Sequence, residues 1–191
     1  MNAPTGQVTL VFTDLQGSTE LWEKLQARFA DALTAHNAVM RELIAKHSGY
    51  EVKTEGDAFM VAFSSPTLAV RFAAELQERM ATAMPEDIRR DTGGAELLVR
   101  MGIHVGEPIC ELDPTNGRMD YFGPMVNRSA RISAAGHGGQ ILISHAVREA
   151  ATEELESLLV KDLGEHRLKS LSRAERLYQG LPYSLASRTY A

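Results

Sequence analysis

The chain has 191 residues, a formal charge of −5 and a single cysteine, Cys110. That length fits one domain with a real core. The acidic balance argues against a protein that coats nucleic acid or a membrane surface, and one cysteine excludes a disulfide framework or a cysteine-rich zinc site. No stretch approaches the roughly 20 apolar residues that span a bilayer, and residues 1–6 lack the charged and apolar regions of a signal peptide. A cytoplasmic protein with no membrane span and no nucleic-acid partner is expected.

Val8 to Thr13 is a β-branched and aromatic run ending in Asp14, so a strand is predicted to feed the loop Leu15-Gln16-Gly17-Ser18-Thr19. Ser18 or Thr19 suits a helix N-cap. Leu21, Trp22, Leu25 and Phe29, then Leu33, His36, Val39, Met40, Leu43 and Ile44, recur at helical spacing and predict a continuing helical run that stops at Gly49. Residues 50–63 read as a hairpin turning at Glu55-Gly56. If Thr54 pairs with Asp57, then Val52, Thr54, Asp57, Phe59, Val61 and Phe63 share one face, while Lys53 points to the other.

Pro66 fits the first turn of a helix carried by Leu68, Val70, Phe72, Ala73, Leu76 and Met80. Residues 85–94 are polar and predict a loop, and residues 97–106 predict a strand buried on at least one face. Turn chemistry at Asp113-Pro114-Thr115-Asn116-Gly117 predicts a protruding arm over 111–118, after the fourth strand. Gly123-Pro124 opens a helix that stops at Gly136, and Gly136-His137-Gly138-Gly139 turns into a strand at 140–144. A short helix at 145–152 and strands at 157–168 and 175–179 complete a domain over residues 1–182. Residues 183–191 carry no apolar period and predict a loose tail. Hairpins mixed with crossovers imply an α+β fold, a mixed sheet covered by helices.

Several residues carry chemistry. Asp14 and Asp57 sit at strand–turn boundaries, each with the parity of its strand's bulky residues, so on neighbouring strands the two carboxylates converge. With the Leu15 carbonyl they form a hard-oxygen set suited to Mg2+; the competing reading is two ordinary turn aspartates. Gly17-Ser18-Thr19 offers backbone N–H groups to a phosphate or simply caps a helix, and it lacks the Gly-Lys-Ser/Thr of a P-loop. Asn127 and Arg131 lie at i and i+4 with Asp120 just ahead, a pairing that positions a ribose and neutralises a phosphate, or forms a solvated face. The six histidines show no metal-ligand spacing.

Four strings, Phe12-Thr13-Asp14, Lys53-Thr54-Glu55-Gly56-Asp57, Arg100-Met101-Gly102-Ile103-His104 and Met119-Asp120-Tyr121-Phe122-Gly123-Pro124-Met125-Val126-Asn127-Arg128-Ser129-Ala130-Arg131, occur in this order. Together they resemble the class III nucleotidyl cyclase catalytic domain, in particular adenylyl cyclases of the fungal and trypanosomatid type, over residues 7–180. The resemblance implies a ferredoxin-like, palm-type fold and a head-to-tail homodimer with active sites shared between chains. Asp14 and Asp57 of one chain would hold two Mg2+ or Mn2+ per site. The partner would supply Lys53 and Asp120 to read adenine, Asn127 to orient the ribose and Arg131 to stabilise charge on the α-phosphate of ATP. Lys169 is implied as a triphosphate contact, although Ser170 stands where relatives often have Gly.

The implied reaction is in-line attack of the ribose 3′-hydroxyl on the α-phosphorus, helped by two ions about 3.5–4 Å apart, to give 3′,5′-cyclic AMP and pyrophosphate. Adenine presents an acceptor at N1 and a donor at N6, which complement a lysine and an aspartate. Guanine reverses that edge, so Lys53 and Asp120 oppose a guanylyl cyclase. A non-catalytic nucleotide-binding or dimerisation module is the other reading, against which the site residues are complete. The Gly-Gly-Asp/Glu-Glu-Phe hairpin of diguanylate cyclases is absent. The family's architecture also implies an upstream or separate regulatory domain.

Overall fold

The computed structural model describes residues 2–190. Its core begins with β1 (Val8–Leu15), which leads through α1 (Ser18–Leu25) and α2 (Phe29–Lys46) to the hairpin β2 (Tyr50–Glu55) and β3 (Ala58–Phe63). Next come α3 (Pro66–Met80), the short α4 (Glu86–Asp91) and β4 (Val99–Gly106). Together β4, β1, β3 and β2 lie side by side in that order, which makes β1-α-β2-β3-α-β4 the ferredoxin-like arrangement expected.

A second hairpin, β5 (Ile109–Leu112) and β6 (Met119–Phe122), forms its own two-stranded sheet and is the arm. From it α5 (Pro124–Ala134) crosses to β7 (Ile141–Ser144), which pairs parallel with β4. The small helices α6 (His145–Ala150) and α7 (Thr152–Leu155) precede β8 (Leu159–His166) and β9 (Glu175–Leu181). The complete sheet runs β2-β3-β1-β4-β7-β9-β8. Among the described residues no helix is long and apolar enough to cross a membrane.

Both faces of the central strands are covered, which is why β1 and β4 are buried along nearly their whole length. One face presents Val11, Leu15, Phe59, Val61, Phe63, Met101 and Ile103 to Met40 and Leu43 of α2 and Phe72 and Leu76 of α3. The other presents Val8, Leu10, Met60 and Ala62 to Tyr121 and Met125. Here α5 lies directly on β4. A Cβ on Gly102 would stand 2.3 Å from the Ser133 amide nitrogen, so only glycine allows that approach.

Several local expectations change. The hairpin turns at Gly56-Asp57, with Glu55 opposite Ala58 and Thr54 opposite Phe59 rather than Asp57. Gly56, at φ 63°, supplies the positive φ that the first position of such a loop requires. A bulge between Glu51 and Lys53 then carries Val52 to the face of Met60, away from Phe59. The first helical run is broken by a 3-10 turn, Gln26–Arg28, where Gln26 has φ 48°. Gly17, at φ 71°, occupies the N-cap of α1, and neither Ser18 nor Thr19 caps it. Residues 86–91 are helical because Ile88 finds a buried seat.

Residues 183–190 are docked, not loose. Arg188 donates to Gln77 Oε1 and Glu96 Oε2, both at 3.0 Å, and the Tyr190 hydroxyl donates to the Gly139 carbonyl at 2.6 Å.

Candidate active site

The sequence-predicted residues fall into four groups on different parts of the chain. Asp57, Ser18 and Thr19 line a cavity of 390 Å³ with Gly56, Trp22, Phe29 and Leu33, on the α1–α2 side of the sheet. Asp57 Oδ2 is buried and has no hydrogen-bond partner. An orphaned carboxylate oxygen beside this cavity fits a cation ligand, since such an atom is otherwise costly to bury. The charge of Asp57 also acts on the buried His36 imidazole, whose pKa burial nonetheless holds below its ordinary value.

Asp14 is placed differently. It shares the parity of Phe12, which packs with Met60 and Val52, whereas Phe59, Val61 and Phe63 belong to the opposite face. The bulky residues of the two strands therefore mark opposite faces of the sheet, and parity does not bring Asp14 and Asp57 together. What they share is one end of the sheet, where β1 finishes at Leu15 and the neighbouring hairpin turns at Gly56-Asp57. Asp14 Oδ2 accepts from Arg100 Nε at 2.9 Å and also from Arg100 Nη2, across the Asp14–Arg100 register of β1 and β4. Sequence reading missed this partner because it requires the strand register. Among the described residues no three His, Cys, Asp or Glu side chains gather as a metal cluster. Two carboxylates with Leu15 at the strand end remain a donor set for Mg2+ or Mn2+, ions that take a few carboxylates and complete their shell with phosphate and water.

Lys53 and Asp120 do meet. Lys53 Nζ lies 3.1 Å from Asp120 Oδ2, with both side chains partly exposed, and Lys53 lines a 240 Å³ cavity with Phe12, Glu55, Ala58, Phe59 and Met60. A donor and an acceptor thus stand side by side, on the sheet face opposite the Asp57 cavity. Asn127 and Arg131 share the outer face of α5 and line a 620 Å³ cavity with Arg128, Ser170, Leu171 and Ser172. Lys169 is exposed on that β8–β9 loop, beside the cavity lining. Ser170 has φ 65°, a conformation glycine adopts more readily.

The β8–β9 loop adjoins the start of β9 and the end of β7, the end of the sheet away from Asp14. Within one chain the Asp57 cavity and the groups suited to a nucleoside phosphate thus face apart. Beneath α5 a polar cluster fixes its seat: Arg128 pairs with the buried Glu175, and His104 Nδ1 lies 2.9 Å from Ser144 Oγ. Burial, with help from the Arg128 charge, lowers the His104 pKa to about 4.

A ferredoxin-like sheet thus carries two aspartates at one end of the sheet and an amide–guanidinium pair on a crossover helix. The sequence model of the adenylate and guanylate cyclase catalytic domain matches residues 1–179, and the chain belongs to that family. An adenylate cyclase of Neurospora crassa is 37% identical over 97% of the chain, and one of Mycosarcoma maydis is 47% identical over 82%. The chain spans 10% and 7% of those two relatives' lengths. A solved structure of adenylate cyclases from Trypanosoma brucei in their monomeric state superposes with a TM-score of 0.88 at 31% identity, covering 100% of this chain and 95% of that one.

Proposed function

We propose that the chain is an adenylyl cyclase domain that converts ATP to 3′,5′-cyclic AMP and pyrophosphate, in sites shared across a head-to-tail homodimer. The observation that carries this reading is the placement of Lys53 against Asp120 on one face of the hairpin while Asp57 turns to the other. One chain then offers half of each of two sites. The adenylate cyclase relatives support the choice of ATP, as does the donor–acceptor order of the Lys53–Asp120 pair, which matches adenine and mismatches guanine.

In this reading Asp14, Asp57 and the Leu15 carbonyl hold two Mg2+ or Mn2+, and the Gly17-Ser18-Thr19 amides receive the distal phosphates. When bound, the ions supply activation of the 3′-hydroxyl and neutralisation of the triphosphate. Arg100 holds Oδ2 of Asp14 through both of its hydrogen bonds, which leaves Oδ1 for the ion. From the partner, Asn127 hydrogen-bonds the ribose and fixes the 3′-oxygen in line, and Arg131 donates to the α-phosphate oxygens as charge builds there. Lys169 is assigned to the leaving pyrophosphate and Ser170 only to shaping its loop. A regulatory domain elsewhere in the parent protein would act by setting how the two chains meet.

The test is product formation from ATP and from GTP, with Mg2+ and with Mn2+, over a series of protein concentrations. Cyclic AMP from ATP with little cyclic GMP from GTP is expected, and specific activity should rise with protein concentration through the dimerisation range. Binding of ATP with no pyrophosphate released would instead mark a non-catalytic module.

A further inference from the structure

Lys53 and Asp120 belong to separate sheets with no strand ladder between them. A two-stranded hairpin is at best marginally ordered by itself, so the spacing of this pair depends on what ties β5–β6 to the main sheet. Three ties are present. The Tyr121 side chain is buried and its hydroxyl donates to the Pro4 carbonyl at 2.8 Å. The Met119 amide donates to the Tyr50 hydroxyl at 3.1 Å. The Arg118 guanidinium donates to the Glu51 carbonyl and lies 5.4 Å from the centroid of the Tyr50 ring.

The last two ties adjoin the pair. Arg118 and Met119 immediately precede Asp120, and Tyr50 and Glu51 lie just before Lys53. The bulge of β2 shapes the receiving side. It brings Glu51 and Thr54 to one face, where the Glu51 carboxylate accepts from Thr54 Oγ1 at 2.7 Å and from Arg41 at 3.0 and 3.1 Å. Held from the helix side, Glu51 keeps its carbonyl for Arg118 on the open edge of the sheet, since β2 is an edge strand.

We propose that Arg118, seated on Tyr50 and the Glu51 carbonyl, is a positioning residue that latches the arm to β2 and thereby sets the Lys53–Asp120 spacing on which adenine selection depends. This rests on the base-reading roles proposed above. A base is discriminated only if donor and acceptor hold their separation when it arrives, and a displacement of about 1 Å can cost on the order of 100-fold. The latch touches neither the metal-side aspartates nor Arg131, so it acts on base binding more than on the chemical step.

The experiment uses the 191-residue chain carrying Arg118→Gln, Arg118→Lys or Tyr50→Phe, with Lys53→Glu in parallel, each assayed with ATP and GTP. Arg118→Gln should raise KM for ATP roughly tenfold and lower the ATP:GTP preference, with kcat changed by about threefold or less. Arg118→Lys should recover part of the preference, and Tyr50→Phe should shift it in the same direction by less. An Arg118→Gln enzyme with unchanged preference, whether equally active or uniformly weakened on both nucleotides, overturns the latch. If that variant does not fold, Tyr50→Phe decides by the same ratio. Loss of preference in Lys53→Glu but not in the Arg118 variants sinks the latch alone, whereas an unchanged ratio in Lys53→Glu sinks the base-reading assignment itself.

Discussion

His104 sits beneath the crossover helix with 8% of its surface exposed. Burial and the Arg128 charge hold its pKa near 4, against an ordinary value of 6.5. Between those values the unfolded chain takes up a proton that the folded chain refuses, so acidification withdraws stability in that window. The loss is about 2 kcal/mol by pH 5 and about 3 kcal/mol by pH 4. Urea denaturation of the wild type and His104→Asn at pH 7 and pH 5 checks this. The variant, which has no imidazole to charge, should lose less stability over that interval. Equal losses would show that His104 does not carry this part of the acid sensitivity. The contrast between Asp14 and Asp57 belongs to the same scale: Asp14 has its counter-ion in Arg100, while Asp57 Oδ2 has none, so the two carboxylates meet a cation from different starting points.

At the scale of elements, β4 and α5 form the rigid unit of the site. A Cβ at Gly102 would meet Ser133 N at 2.3 Å and Ser133 Cα at 2.6 Å, both backbone atoms that cannot swing aside. Gly102→Ala must therefore lift α5, at roughly 1–3 kcal/mol of stability, and displace Asn127 and Arg131 with it. The expected result is a lower melting temperature and a kcat reduced by about tenfold or more; full kcat in a destabilised variant would detach α5 placement from turnover. The glycine in Arg100-Met101-Gly102 is legible in sequence as a motif, but its reason is this helix contact. Pro66 in the first turn of α3, the Gly123-Pro124 helix start and the arm were all readable locally, because each rests on the backbone preference of one or two residues. The hairpin register was not. One bulged residue at Val52 reverses parity without a local signal, and a Gly in either of two adjacent loop positions satisfies a tight turn. The parity argument for Asp14 fails for a related reason: with both faces of β1 buried, bulky residues do not identify a face.

The whole molecule raises the question of how separated half-sites make one reaction. Although the register differs from the one read in sequence, the hairpin still presents Lys53 and Asp57 to opposite faces, because the turn places Asp57 toward Trp22, Phe29 and Leu33 while Lys53 reaches Asp120. If two chains meet head to tail, each hairpin serves both sites, giving its aspartate to one and its lysine to the other. Asp57→Ala and Lys53→Ala homodimers then carry the same defect twice. A heterodimer of the two variants collects both defects in one site and leaves the other intact. Mixing the two proteins should restore activity to about one quarter of wild type if subunits exchange at random, since half the dimers are then mixed and each has one good site. The measurement is cyclic AMP formation from the mixture, with heterodimers quantified through distinct affinity tags. Heterodimers that form and remain as inactive as either parent would place Lys53 and Asp57 in the same site and remove the shared-site arrangement.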